Sequence, residues 1–421
     1  MYFFIYEIVI ICLIPFALVK LFYRALINPI HLRNLNERFA LYTKKRSSIW
    51  KSRQTVWFHC VSVGETKAII NLIKILLNQY PKTYFLISHG TLTGRKTKLP
   101  NNSRIHRTFL PYDTKGASKR FLSFYQPKVG LILETELWFN LINQCSLNNI
   151  PLHLINARLS KKSLKKYLPF KKFINPALSQ LESIYVRAKE DVINFSELTK
   201  ANIKIMENIK FDSRPPEGTR KKINQLKKQL KVSNHFILVA GSTRSGEEKI
   251  LLKLVEKLNY KKLILVIVPR HPERFDEVEN FFQLQKLPIV KISKLEEIVN
   301  TPKYILGDTM GDLYELYGLA TLAIIGGSIL DYGGQNPIEP MSLNIQTAIG
   351  PSIYNFKEMV NVAEKHNAIY RFKNISELEK IIKNLINKGK VNQDILKNAR
   401  QYIRKSSGGT DKIVRLINQY L

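Results

Sequence analysis

Acid is what this chain has least of for its size: 66 Lys and Arg face only 33 Asp and Glu, a formal net charge of +33. That imbalance predicts attraction to polyanions, whether nucleic acid, an anionic membrane surface or a phosphorylated substrate, without choosing among them. Cysteine is scarce as well. Cys12, Cys60 and Cys145 stand far apart with no Cys-x-x-Cys pair, which speaks against a zinc site or a disulfide framework and fits a reducing compartment. No short repeat is visible, which speaks against a solenoid. No cluster of carboxylates stands at metal-ligand spacing. Apolar residues, by contrast, make up 45% of the 421 positions, enough for two domains with full cores and too many for a disordered chain.

The longest apolar run opens the chain. In "MYFFIYEIVIICLIPFALVKLFYR", Glu7 is the one acid, and Lys20 and Arg24 follow the run. Such a run is long enough to span a bilayer core of about 30 Å. It lacks the leading positive charge and trailing small-residue site of a secretory signal, so residues 1–25 read as a retained membrane anchor. The basic flank, continued by Arg33 and Arg38, puts the rest of the chain on the cytoplasmic side. An amphipathic surface helix or a buried core helix is the alternative that Glu7 and Pro15 keep open.

Beyond this segment, strand-like runs alternate with helical periods. "VWFHCVSV", "TYFLISH", "VGLILETE", "PLHLINA", "SIYVRA" and "IKIMENIK" read as strands of a first domain, residues 26–210. Residues 211–234, with two prolines and a crowd of basic residues, read as a linker. The alternation resumes in a second domain, residues 235–421, with "HFILVAGST", "KLILVIVPRHP", "KYILGDTMG", "LAIIGGS", "QTAIGPS" and "AIYRF", and a helix closes it. Order of this kind predicts α/β domains with parallel sheets, whose ligands bind beyond the carboxyl ends of the strands.

The strand ends carry the chemistry. In "VSVGET" a turn at the head of a helix bears Glu65, where a phosphate-binding loop would have no acid. Glu65 either complements the helix dipole or accepts a proton from a substrate hydroxyl. Glu134 ends the buried strand in "LILETELW", where an ionised group needs a partner. Lys210, in "NIKFD", is either an exposed lysine or a cation for a leaving phosphate. In the second domain, Pro269 and Arg270 end a strand, and Met310, Gly311 and Asp312 open a helix. Asn336, Pro337, Ile338 and Glu339 open another. A guanidinium, free backbone N–H groups and a carboxylate suited to ribose hydroxyls thus stand at successive strand ends. His59 reads as packed.

Together "VSVGET", "ETELW", "NARLS", "IKFD", "VPRHPERF", "GDTMGDL", "LAIIGGS" and "GGQNPIEP" resemble the 3-deoxy-D-manno-octulosonic acid (Kdo) transferases of lipopolysaccharide synthesis, over nearly the whole chain. The resemblance implies a GT-B fold, two Rossmann-like domains facing across a cleft, with a membrane anchor helix. It implies an inverting transfer of Kdo from CMP-Kdo to a lipid A precursor, lipid IVA, at the cytoplasmic face of the inner membrane, with neither cofactor nor metal. Glu65 becomes the general base, and Glu134 and Lys210 the groups that stabilise the transition state. Pro269, Arg270, Met310, Gly311, Asp312, Asn336, Pro337, Ile338 and Glu339 become the CMP contacts. The chain departs from the family pattern at Phe139 and Leu92, where Pro is usual, and at Arg244-Ser245, where His-Glu is common. These positions bear on loop shape around acceptor and phosphate.

A UDP-sugar transferase of the same fold is the rival reading. Nucleic-acid binding is the more distant one; the basic residues are scattered through amphipathic helices and no recognised module is present. One basic stretch stands out. In residues 156–178, Lys161, Lys162, Lys165 and Lys166 share a helix face, with Arg158, Lys171 and Lys172 near and Leu164, Leu168, Phe170 and Phe173 among them. It is either a solvated face or a surface that docks on the membrane and presents the lipid acceptor.

Overall fold

The computed structural model describes residues 2–42, 50, 53–232, 234–297, 300–389 and 391–421. The chain divides into two compact units, Met1–Asp212 with Ser407–Leu421, and Ser213–Ser406.

The first unit holds a parallel sheet of β1 (Thr55–Cys60), β2 (Tyr84–His89), β3 (Ile105–Phe109), β4 (Val129–Leu133), β5 (Leu152–Ala157), β6 (Ser183–Val186) and β7 (Ile203–Ile205), in the order β3-β2-β1-β4-β5-β6-β7. The central strands β1, β4 and β5 are buried along their whole length, as strands covered by helices on both faces must be. β3 was not among the expected strands. It is an edge strand whose first three residues are only partly buried, so it offers no unbroken apolar run.

The second unit repeats the plan with β8 (Phe236–Thr243), β9 (Leu263–Pro269), β10 (Ile289–Lys291), β11 (Tyr304–Leu306), β12 (Leu322–Ile325), β13 (Gln346–Ile349) and β14 (Tyr370–Arg371). Their order is β10-β11-β9-β8-β12-β13-β14, all neighbours parallel. β10, the other strand absent from the sequence reading, is again a partly buried edge.

Strand order reverses between β1 and β4 in the first sheet and between β8 and β12 in the second. These are the points where an open α/β sheet leaves a crevice beyond the carboxyl ends of its strands.

Two boundaries differ from expectation. Residues 219–229 of the expected linker form a helix with Ile223 buried; the lysines and arginines that suggested a linker line its wet side. The last helix, Gly409–Ile417, belongs to the first unit and not to the second. Its Ile413, Val414, Leu416 and Ile417 join Val56, Phe58, Ile73 and Leu131 in one core cluster.

The amino-terminal apolar run forms α1 (Tyr2–Ile27), a helix whose window Phe3–Leu26 has a mean hydropathy of 2.3. Phe3 and Tyr6 pack against the first unit's core.

Candidate active site

The turn after β1 explains why an acid stands at a helix start. Ser62 caps the Val63–Ala68 helix, and its Oγ accepts from the Glu65 N–H at 3.3 Å. The Glu65 carboxylate reaches back: one oxygen accepts from the Ser62 N–H at 3.2 Å and from Ser62 Oγ–H at 2.7 Å, the other from the Val61 N–H at 2.8 Å. This is a capping box, in which Ser and Glu each satisfy an orphan donor of the first turn. Glu65 is only 6% exposed. Burial pushes its pKa up, the Ser62 and Val61 hydrogen bonds oppose that, and the Glu134 charge adds to it; the net direction is upward. The dipole-complementing role is thus present in the geometry, and the same bonds aim the carboxylate.

Across the switch point, Glu134 follows the last residue of β4 and is held in the left-handed region at φ 58°. Its Oε1 lies 3.0 Å from Lys210 Nζ and 3.3 Å from Arg187 Nη2. Burial pushes Glu134 up, but Lys210, then Arg187, and also Arg158 outweigh it, so its carboxyl stays ionised below the ordinary range. Lys210 and Glu134, far apart in sequence, are therefore one ion pair. Arg187, absent from the sequence reading, also donates through Nε to the Asn156 carbonyl at 3.0 Å.

Glu136, two residues beyond Glu134, is the functional candidate that sequence reasoning missed. Burial first, then the charges of Glu65 and Glu134, raise its pKa to about 7. Glu65, Glu134 and Glu136 thus act on one another at the carboxyl ends of β1 and β4, with Lys210, Arg187 and Arg158 as counter-charges. The signal was available: "ETELW" places two acids at alternate positions past a buried strand, where neither reaches solvent freely.

The same end of the sheet carries buried polar atoms without a partner among the described residues: His59 Nε2, His89 Nε2, Trp138 Nε1 and both side-chain atoms of Asn156. Native interiors satisfy most such groups, so a cluster of them is a natural place for a polar ligand. His59 is packed as expected, its Nδ1 2.9 Å from Ser88 Oγ, and burial lowers its pKa to about 4.

In the second unit, Pro269 ends β9 and Arg270 follows, its N–H donating to the Thr243 carbonyl at 3.0 Å. Gly311 has φ 108°, a conformation that admits a glycine, and precedes Asp312 at the cap of the Leu313–Tyr317 helix; Met310 is exposed. Asn336 Oδ1 accepts from the Ile338 N–H at 3.1 Å, and Pro337 caps the Ile338–Ser342 helix that carries Glu339. Ile338 itself is fully buried. Burial pushes the Tyr317 hydroxyl up; the Glu339 charge adds to that and the Arg270 charge opposes it. The sequence reading did not single out Glu247, fully buried, which accepts from the N–H groups of Arg244, Gly327 and Ile329 at 2.9, 2.7 and 2.9 Å and so ties the β8 loop to the glycine loop after β12. Arg244, where the family pattern has His, hydrogen-bonds His271 and lies over the Tyr332 ring. Among the described residues no group of three or more His, Cys, Asp or Glu is arranged to hold a metal.

Residues 33–213 match the family model described as 3-deoxy-D-manno-octulosonic-acid transferase. A 3-deoxy-D-manno-octulosonic acid transferase of Haemophilus influenzae is 31% identical over 401 residues, covering 94% of this chain and 93% of the relative. The chain belongs to the Kdo transferase family. A second Kdo transferase, from Bordetella pertussis, is 30% identical over 335 residues, 75% of this chain and 76% of that one. Among solved structures, a glycosyltransferase of Rickettsia africae shares 15% identity, with TM-score 0.57 over 88% of this chain and 98% of its own; that likeness concerns the fold alone. This member of the Kdo transferase family is a glycosyltransferase with the two parallel-sheet α/β units of the GT-B type.

Proposed function

We propose that the chain transfers Kdo from CMP-Kdo to a lipid A precursor, lipid IVA, at the cytoplasmic face of the inner membrane, with inversion and without a metal ion. The observation that carries the reading is the acid–base pattern at the first switch point: a buried carboxylate of raised pKa, Glu65, beside an ionised Glu134 paired to Lys210. A hydroxyl of the acceptor gives its proton to Glu65 as its oxygen attacks the anomeric carbon of Kdo. The bond from that carbon to the CMP phosphate breaks, and CMP leaves with the electron pair. A raised pKa makes Glu65 a better proton acceptor while its capping bonds fix its aim, a contribution of roughly 10²- to 10⁴-fold for a positioned general base. Glu134 and Lys210 hold charge of both signs in fixed positions, and Lys210, Arg187 and Arg158 supply the positive field that a metal gives in other transferases.

Donor recognition rests on Pro269-Arg270, Met310-Gly311-Asp312 and Asn336-Pro337-Ile338-Glu339 of the second unit. In this reading the Arg270 guanidinium holds a phosphate oxygen, and the Glu339 carboxylate accepts from ribose hydroxyls.

The deciding experiment incubates purified enzyme with lipid IVA and either CMP-Kdo or a panel of UDP-sugars, in the presence and absence of EDTA. Transfer from CMP-Kdo alone, unaffected by EDTA and lost in Glu65→Gln, is the expected result. Transfer from a UDP-sugar, or full turnover in Glu65→Gln, overturns the reading.

A further inference from the structure

α1 is long and apolar enough to cross a bilayer, yet its start and the segment that follows it, residues 37–39, are fastened to the same stretch of the first unit, residues 109–120. At its start, Tyr6 Oη donates to Asp113 Oδ2 at 2.8 Å, and the two oxygens of Glu7 accept from the Lys115 N–H at 3.1 and 2.9 Å. Asn140 Nδ2 donates to Glu7 as well, and the Tyr6 ring meets Phe139 and Phe173 at centroid distances of 5.1 and 5.7 Å. The one acid of the apolar run is therefore spent on the first N–H of the Lys115–Tyr125 helix, a favourable place for negative charge.

After the helix, the chain returns at once. Glu37 accepts from the Phe109 N–H at 2.8 Å, the Arg38 carbonyl from the Tyr112 N–H at 2.8 Å, and the Phe39 carbonyl from Arg120 Nη2 at 2.7 Å. Residues 6–7 and residues 37–39 thus grip neighbouring positions, Asp113 and Lys115 on one hand, Phe109 and Tyr112 on the other.

A crossing helix is incompatible with that arrangement. From Tyr6 to Ile27 the helix runs about 32 Å at 1.5 Å per residue, so a crossing would leave Tyr6 and Glu7 on the far side of about 30 Å of hydrocarbon from residues 28–42. They could not then touch Asp113 or Lys115. Nor can the return segment run back through lipid, because it carries His31, Arg33, Asn34, Glu37 and Arg38.

The outward surface fits lipid. Ile8, Val9, Ile11, Leu13, Phe16, Val19, Phe22 and Tyr23 of α1 are all exposed. Through Tyr6 and Phe173 the helix adjoins the basic stretch 161–172, where Lys162, Lys165, Lys166, Lys171 and Lys172 are exposed together with Leu168 and Phe170. Apolar residues beside clustered lysines are the pattern that settles into an anionic headgroup layer. We infer that α1 lies within one leaflet of an anionic bilayer, both ends on the side of the first unit, and continues the lysine-rich 161–172 surface instead of crossing the membrane.

The inference holds whichever sugar is transferred. Cys60 and Cys145 are buried and Cys12 is exposed, so a full-length Cys12→Ser protein with one cysteine added ahead of Met1 has one reactive thiol. It is reconstituted in vesicles of phosphatidylglycerol and phosphatidylcholine, and the fraction with its sugar-transfer units outside is measured on a parallel aliquot by their sensitivity to added protease. A membrane-impermeant maleimide labels that same fraction before detergent and the remainder only after it. In a parallel Phe16→Trp protein, lipids brominated near the headgroup quench the new fluorescence more than lipids brominated near the chain ends. Labelling of that fraction only after detergent, with strongest quenching from the chain ends, overturns the inference. Failure to float with the vesicles overturns the membrane surface itself, and leaves transfer to a detergent-solubilised acceptor as a separate measurement.

Discussion

Replacing Glu136 by Gln removes a carboxyl that the fold keeps protonated well above its ordinary range. Its pKa rises from 4.5 to about 7, driven by burial and then by Glu65 and Glu134. At about 1.4 kcal/mol per pKa unit the gross cost of ionising it in the folded state is ~3 kcal/mol, and solvent screening at this half-buried position reduces that to roughly 1–2 kcal/mol. The sign follows from which state holds the proton. Below pH 4.5 the carboxyl is protonated whether the chain is folded or not. As pH climbs toward 7 the folded state still grips the proton while the unfolded chain has released it, so the native protein loses stability across that window. Glu136→Gln therefore leaves stability nearly unchanged at pH 4.5 and raises it by roughly 1–2 kcal/mol at pH 8, about 2–6 °C in the melting of a unit of this size. Calorimetric scans of both proteins at the two pH values measure it. Equal stabilisation at both pH values, or destabilisation at pH 8, refutes the argument.

Other substitutions probe the two units separately. CMP in hundredfold excess over its Kd stabilises the protein by about 2.7 kcal/mol, UMP does not, and Arg270→Ala abolishes the shift; a CMP-induced rise that survives Arg270→Ala removes that residue from the phosphate contacts. Asp212→Ala deprives Gly408 N and Thr410 N of acceptors at 2.8 and 2.6 Å, and lowers the denaturation free energy by ~1–3 kcal/mol, read as a lower urea midpoint at constant slope. Gly326→Ala puts a Cβ 2.3 Å from the Ser242 carbonyl oxygen, which is backbone and has little room to move; a loss of ~3 kcal/mol or more is expected, and a thermal midpoint within a degree of wild type contradicts the packing described.

What the sequence made legible follows from what each residue had to satisfy locally. Central strands show as apolar runs because helices cover both faces, and so β1, β4, β8, β9 and β12 were readable while the edges β3 and β10 were not. The helix at residues 219–229 was hidden by its lysines, since a single buried face led by Ile223 leaves the rest free to be basic. Individual site residues were visible, but their pairing was not: nothing in "NIKFD" announces that Lys210 meets Glu134, a contact made where the 3-10 turn Ile209–Asp212 packs near the end of β4, remote in sequence. The partner of a terminal helix is equally invisible, because an apolar stripe on Gly409–Ile417 specifies burial without naming the surface that provides it.

That last helix has a consequence for how the protein comes into being. The first unit is written in two instalments, residues 1–212 and 407–421, with the whole second unit composed between them. On the ribosome, Val56, Phe58, Ile73 and Leu131 emerge early and wait for Ile413, Val414 and Ile417 until the whole second unit has been made. Until then the older half of the enzyme is a sheet with part of one face uncovered, the kind of surface that chaperones hold and that misassembles if left alone. Quality control is thereby coupled to passage through the second unit: a chain that stops before residues 413–417 carries an unsealed core in the half that holds Glu65, even though every strand of that half has been made.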